Sequence, residues 1–203
     1  PAPGRPSKFA AAALLGKVYI HMAGNDNSSP NWAKAKTELL DVVTNGGYIL
    51  QPSFGSLFTA GTENTKESII EIQYTISGGP NGQFTNFFTP SGTTLTPSAA
   101  NGPFGRNRPN KDIFDRHKAQ YPGDPRFDVS YVYGSVTLNT GASQTIYPAN
   151  TTNRGWPYIK KYVDPAYVAT YSNRNFIYMR YADVLLSLAE AENELNGPAN
   201  AYQ

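Results

Sequence analysis

Arg180-Tyr181-Ala182-Asp183-Val184-Leu185-Leu186-Ser187-Leu188-Ala189-Glu190-Ala191 is the stretch on which the fold class turns. Tyr181, Val184, Leu185, Leu188 and, further on, Leu195 recur at helical spacing, and Met179, Ala182, Leu186 and Ala189 widen the stripe. The period predicts a helix from about Ile177 to Leu195 with one broad apolar face. Asn196-Gly197-Pro198 ends it, because glycine accepts the left-handed cap conformation and proline cannot continue the helix. Ala199-Asn200-Ala201-Tyr202 then opens another helix, so the sequence reads as a piece of a longer protein. Arg180, Asp183 and Glu190, set in so apolar a helix, are expected to pair internally or cap loops instead of forming a charged site.

Two more helices lie near the start. The first is predicted from about Ser7 to Met22, with Phe9, Ala13, Val18 and Ile20 among small residues and Ala10 to Ala13 as a tight-packing face. It is apolar nearly all round, which predicts burial between other helices. Gly24 and the polar run Asn25-Asp26-Asn27-Ser28-Ser29 stop it. The second is predicted from about Asn31 to Thr44, with Ser29 as N-cap and Pro30 at the first helical position. Trp32, Ala35, Leu39 and Val42/Val43 form its inner face, while Lys34, Lys36, Glu38 and Asp41 face outward, and Gly46-Gly47 ends it. Two such helices joined by a short turn make an antiparallel hairpin of the kind stacked in tetratricopeptide-like arrays.

The middle of the chain is of another kind. Ser68 to Tyr74 predicts a short strand. Gly78 to Asn110 is Gly, Pro, Ser, Thr, Asn and aromatics without periodicity, and Asp124-Pro125 reads as a turn. Lys111 to Gln120 suggests a short helix, and Val129 to Leu138 a strand or hairpin arm. Phe84, Phe87, Phe88, Tyr131, Tyr133, Tyr147, Trp156 and Tyr158 argue against disorder, since disordered segments are poor in aromatic residues. The expected fold is therefore mainly α. Tetratricopeptide-like helical hairpins carry a long irregular insert with minor β-structure, in a single partial domain spanning 1–203, divided into 1–77, the insert 78–174 and the returning helix 175–203.

Composition narrows the function. Seventeen basic residues against 15 acidic ones leave a formal charge of +2, too little to imply a nucleic-acid or membrane surface, and the basic residues look scattered. The absence of cysteine excludes disulfides, thiolate metal sites and thiol nucleophiles. No apolar run approaches the about 20 residues that span a bilayer. No cofactor is expected; Asp/Asn loops such as Asn25-Asp26-Asn27 leave calcium open as a ligand, though without a proper ligand spacing. Aromatics reach 13% of the chain, dominated by 14 Tyr and 10 Phe. Aromatic-bearing ordered loops on a helical frame suit a binding surface.

Several phrases, in order, resemble the SusD/RagB family of outer-membrane nutrient-binding lipoproteins. Ala11-Ala12-Ala13-Leu14-Leu15-Gly16-Lys17-Val18-Tyr19-Ile20 is similar to the family's "ALLARVYL" helix. Trp32-Ala33-Lys34-Ala35 with Val42-Val43, Gly46-Gly47-Tyr48-Ile49-Leu50 and Leu57-Phe58 resembles its next hairpin. Glu63-Asn64 with Glu67-Ser68-Ile69-Ile70-Glu71-Ile72 resembles "N…EsIfEi", Asp124-Pro125-Arg126-Phe127 "DpRr", and Tyr158 to Tyr162 its "KY" strand. Arg180 to Leu186 with Ala189-Glu190-Ala191 is similar to "RyADvLLmyAEA". The resemblance implies a surface-exposed outer-membrane lipoprotein of Bacteroidetes-type bacteria, with its lipid anchor outside this chain. It implies capture of an oligosaccharide, or in some members an oligopeptide, for a SusC-like TonB-dependent transporter. It carries over no ligand residue, because those vary with the substrate.

The candidate binding residues therefore come from chemistry alone. A sugar needs an aromatic platform for its C–H face and polar side chains for its hydroxyls. Trp156, Tyr158, Tyr131, Tyr133, Phe87 and Phe88 supply the rings, and Asn86, Asn153, Arg154 and Arg106 the polar partners. Capture of a neutral glycan without turnover is the expected function. The competing expectation for each ring is that it anchors its own loop. Catalysis is not expected. The acid pairs Asp112/Asp115 and Asp124/Asp128 are ordinary for 15 carboxylates, His21 and His117 are the only histidines, and no nucleotide or metalloprotease fingerprint occurs. A peptide-binding helical scaffold is the remaining alternative, weakened by the long aromatic insert.

Overall fold

In a computed structural model of the chain, residues 3–77, 79–96, 103–148, 155–168 and 170–201 are described. Their contacts divide the chain into two compact units. One comprises 1–51, 64–72 and 177–203, the other 52–63 and 73–176.

The first unit is the helical frame. Helix α1 (Lys8–Ala23) starts at Ser7, whose hydroxyl accepts from the Ala10 N–H at 3.0 Å. Helix α2 covers Asn31–Asn45. Pro30, with helical dihedrals, takes the N-cap position one residue later than the sequence places it, and the Ser29 hydroxyl accepts from the Asn31 N–H at 3.4 Å. The last long helix, here α6, covers Tyr181–Asn196. Ala10, Ala13, Trp32, Ala35, Leu39, Val42, Val184 and Ala191 form the core among these three. Gly16 makes the close approach of α1 to α2 possible, because a Cβ there would stand 2.6 Å from Leu39 Cγ. Lys17–Asp183 and Lys36–Glu192 ion pairs, both 2.7 Å, tie the helix flanks.

Two helix expectations are corrected. Helix α1 is not buried all round: Leu14, Leu15, Val18 and Met22 are exposed, Met22 by 62%. The buried face is the small-residue one, Ala10, Ala13, Gly16 and Ala23, because close backbone approach rewards small side chains over large ones. The final helix begins at Tyr181 and not at Ile177. Phe176–Arg180 is a strand, β6, which pairs with β1 (Ser68–Ile72). The Tyr181 N–H donates to Glu67 O at 2.8 Å instead of entering a helical turn. Accordingly Met179 is buried from a strand, while Leu186 and Leu195 fall outside the inner face, which is Val184, Ser187 and Ala191. The short helix α7 (Pro198–Ala201) follows as expected.

The second unit is the irregular insert, with short elements in chain order. Helix α3 (Phe84–Phe88) is followed by α4 (Lys111–Gln120) and α5 (Pro125–Ser130). Strands β2 (Tyr131–Val132) and β5 (Tyr158–Ile159) pair antiparallel, as do β3 (Gly134–Thr137) and β4 (Ser143–Tyr147). Asp124-Pro125 is not a free turn. It is a helix start, with proline at the first position and the Asp124 carboxylate accepting from the Arg126 N–H at 2.9 Å.

The insert is held by rings and buried hydroxyls rather than by long ladders. Phe84 stacks on Phe176 at 4.7 Å and tilts against Tyr162 at 5.2 Å. Phe114 packs against Phe127, Tyr131, Tyr133 and Tyr147 with centroids 4.8–5.4 Å apart. Thr85 is fully buried and its hydroxyl donates to Tyr162 O. Arg174 clamps the start of the unit, reaching Thr59 O at 2.7 Å and Glu63 at 2.6 Å.

Candidate functional site

The ring-bearing residues of the insert sort into three groups. Phe88 joins the Phe84–Tyr162 stack. Tyr131 and Tyr133 pack on Phe114, in the cluster that includes Phe127 and Tyr147. Phe87, Tyr158 and Trp156 all meet one segment, 103–111, and this third group is the candidate site.

Along that segment each ring receives a cation. Phe104, half exposed, lies 6.1 Å from Phe87 and carries the Arg106 guanidinium 4.9 Å from its centroid. Arg108 lies 5.1 Å over Tyr158, and Lys111 lies 4.4 Å over Trp156. The backbone fixes the row. The Phe104 N–H donates to Asn86 O, the Arg106 N–H to Phe87 O, and Arg108 Nε to Gly105 O at 2.8 Å. Gly105 has φ +57°, and a Cβ there would stand 2.7 Å from the Tyr158 ring, so only glycine lets the backbone lie this close. Such stacked cations gain from the negative face of the ring while keeping their N–H donors free for a ligand.

The predicted candidates thus fare differently. Trp156 is 38% exposed and Arg106 is exposed, and both lie on the row. Tyr158 is only 4% exposed and Asn86 only 3%, so neither presents surface to a ligand in this conformation. Asn86 accepts from Tyr167 Oη at 2.7 Å, which makes it a buried anchor of its loop. Asn153 and Arg154 lie outside the described residues. Phe104, Arg108 and Lys111 were not anticipated, because Gly78 to Asn110 lacks periodicity. The signal available was the spacing Phe104-x-Arg106-x-Arg108-x-x-Lys111. Three of the 17 basic residues, otherwise scattered along the chain, fall together here.

Of the acid pairs named from the sequence, three members are occupied elsewhere, and Asp112 is exposed. Asp115 accepts from Tyr147 Oη at 2.7 Å and Asp128 from Tyr133 Oη at 2.6 Å, and each carboxylate pushes its phenol's pKa up. Asp124 meets Arg126 at 2.6 Å and His117 Nε2 at 3.1 Å. Hydrogen bonds from the Arg126 side chain and backbone hold its pKa far below the usual carboxylate range, so it remains ionised and cannot act as a general acid near neutrality. A depressed carboxylate stabilises the fold fully above its unfolded pKa near 3.8 and loses that contribution as pH falls below it. Asp124→Asn keeps the cap and loses the ion pair, so the variant should show a shallower loss of stability below pH ~4 in acid titrations followed by circular dichroism. An equally steep loss would assign the acid sensitivity to other carboxylates.

A concavity of about 310 Å³ opens among Lys118, Tyr121, Asp124, Phe127, Asp128 and Tyr133. Among the described residues no three His, Cys, Asp or Glu side chains gather to hold a metal ion.

Residues 66–203 match the SusD family. The SusD-like protein P25 of Formosa agariphila is 25% identical over 98% of this chain and 40% of its own length. A solved SusD superfamily protein of Parabacteroides distasonis superposes with a TM-score of 0.75 at 26% identity, over 96% of this chain and 41% of that one. A laminarin binding SusD-like protein shares the fold at TM-score 0.69 and 21% identity, over 98% of this chain and 47% of that one. The chain thus spans about two fifths of the length of the curated relatives it matches.

Proposed function

Since this chain belongs to the SusD family, we propose that it serves the capture of a glycan at the cell surface, without turnover, for delivery to a SusC-like TonB-dependent transporter of the outer membrane. The observation that carries the reading is the pair of partly exposed rings along segment 103–111, Phe104 on it and Trp156 beside it, flanked by fixed polar groups. Rings of this kind stack against the C–H faces of sugars, and the guanidinium and ammonium groups beside them donate to hydroxyl or ring oxygens. The laminarin-binding protein of the same fold supports the same class of ligand. Non-catalytic capture is supported by the engagement of Asp115, Asp124 and Asp128 in structural contacts.

Native affinity electrophoresis of the chain through gels containing individual polysaccharides tests the proposal. Retardation by a glycan that is left uncut is the expected result. Trp156→Ala and Phe104→Ala should each weaken it about tenfold, equivalent to ~1.4 kcal/mol. Retention that neither substitution changes would remove the row from the binding site, and hydrolysis of the retained glycan would refute capture without turnover.

A further inference from the structure

The charge along the row specifies the ligand further. Residues 72–111 and 129–163 contain no Asp or Glu, yet they carry Arg106, Arg108, Lys111, Arg154, Lys160 and Lys161. Elsewhere in the chain five cations are matched by carboxylates, while Lys8, Lys34 and Lys118 lie on rings as those of the row do. Lys17, Lys36, Arg126, Arg174 and Arg180 each meet a carboxylate within 2.7 Å. Among the described residues Arg106, Arg108 and Lys111 meet none within 4 Å and lie on rings instead.

The carboxylates of the same unit are largely engaged. Asp115 and Asp128 hold tyrosine hydroxyls, Asp124 holds Arg126 and His117, Asp164 holds Ser172, and Glu63 holds Arg174. Asp112, exposed in the first turn of α4 beside Lys111, remains as the local counter-charge. Among the described residues, three positive groups therefore lie along one row without an ion pair to any carboxylate.

We infer that the row of Phe104, Arg106, Arg108, Lys111 and Trp156 takes an acidic glycan, one whose sugars bear carboxylate or sulfate groups. The inference rests on the glycan-capture reading and replaces the neutral ligand expected from composition. A neutral sugar needs rings and hydrogen-bonding groups of either polarity. It does not need three cations whose carboxylate partners are missing. Charge-assisted bonds to carboxylate or sulfate oxygens are shorter and about twice as strong as neutral ones, and the planar guanidinium matches both anions with two parallel donors. Stacking on a ring holds each cation in place before the ligand arrives, which lowers the ordering cost of binding.

Matched probes test it. The chain is run through gels holding polygalacturonate or its carboxyl-reduced neutral form, dextran sulfate or unmodified dextran, and, separately, polyglutamate. Stronger retention by a charged glycan than by its neutral partner is expected, weakening as salt rises through the range where the screening length falls to a few ångströms. The first pair reports carboxylate recognition and the second sulfate. R106Q/K111Q should cut retention by the charged glycan at least tenfold, and by a clearly larger factor than it cuts retention by the neutral one. K8Q/K34Q, at exposed lysines of the first unit, removes the same charge and should leave both unchanged. Thermal melts of each variant check that folding is intact, and R106Q alone, at an exposed side chain, serves if the double variant melts early.

Equal retention by charged and neutral members of a pair would overturn the acidic ligand and leave glycan capture standing. Equal losses in R106Q/K111Q and K8Q/K34Q would mean unspecific attraction and overturn the site. Retention by polyglutamate as strong as by the glycans would replace the sugar with an acidic peptide. No retention by any glycan would overturn the capture reading itself.

Discussion

Phe114→Ala should lower the stability of the chain by about 3–5 kcal/mol, the range for deleting a fully buried phenylalanine. Phe114 is 1% exposed and sits at the centre of a ring cluster, with Phe127, Tyr131, Tyr147 and Tyr133 at 4.8, 5.0, 5.0 and 5.4 Å. Three of these contacts are edge-to-face, the geometry in which the positive ring edge meets a neighbour's negative face. Truncation therefore removes apolar burial and several ring pairs at once. The surrounding elements, two short helices and strands of a few residues, have little regular hydrogen bonding to fall back on. Urea denaturation followed by tyrosine fluorescence gives the number, and Phe114→Leu, which keeps most of the volume, should lose much less. Because α4 begins at Lys111, the alanine variant should also disorder the cation over Trp156 and weaken glycan retention. A loss below about 1 kcal/mol would mean that the cluster is loosely packed.

Arg180→Ala should be the second large effect, toward the lower end of the ~3–5 kcal/mol typical of breaking a buried ion pair. Glu67 has only 3% of its side chain exposed and accepts from Arg180 at 2.6 Å and from the Gln51 N–H at 2.7 Å. Arg180 itself is one third exposed, so solvent already screens part of the attraction, which places the estimate low in the range. The cost arises chiefly from leaving the Glu67 carboxylate buried without its cation. Pairing Arg180→Ala with Glu67→Gln should therefore recover much of the loss in thermal melts, since the amide needs no counter-charge. A double variant no more stable than Arg180→Ala would show that Arg180 acts through packing.

Both residues show what was readable in the chain beforehand. Arg180, Asp183 and Glu190 were expected to pair internally or cap loops; Arg180 pairs with Glu67 and Asp183 with Lys17, whereas Glu190 is exposed. The extents of α2, α4 and β1 were close to their sequence readings because caps, glycine stops and apolar period act locally. The final helix was read four residues too early, since Ile177-Tyr178-Met179-Arg180 satisfies a helical stripe as well as a strand. Only the partner strand β1, about 100 residues away, decides between them. Among the candidate site residues, Trp156 and Arg106 lie on the exposed row, whereas Tyr158 and Asn86 became anchors. Exposure of a ring is a property of what packs over it, and nothing in a loop's own sequence reports that.

What the sequence determined by itself is the helical frame with its hairpin, the family, and the density of rings in the insert. These follow from periodicity, capping chemistry and phrase order, all of which are local along the chain. The tertiary structure alone decided which face of α1 is inner, where β6 hands over to α6, and that Phe104, Arg106, Arg108, Tyr158, Lys111 and Trp156 stand in one row. Trp156 and Lys111 are 45 positions apart, and an aperiodic segment without long ladders leaves no repeat from which such a meeting can be read. The row forms because Gly105 lets the backbone lie against Tyr158, and because two main-chain bonds to Asn86 and Phe87 fix the segment's path.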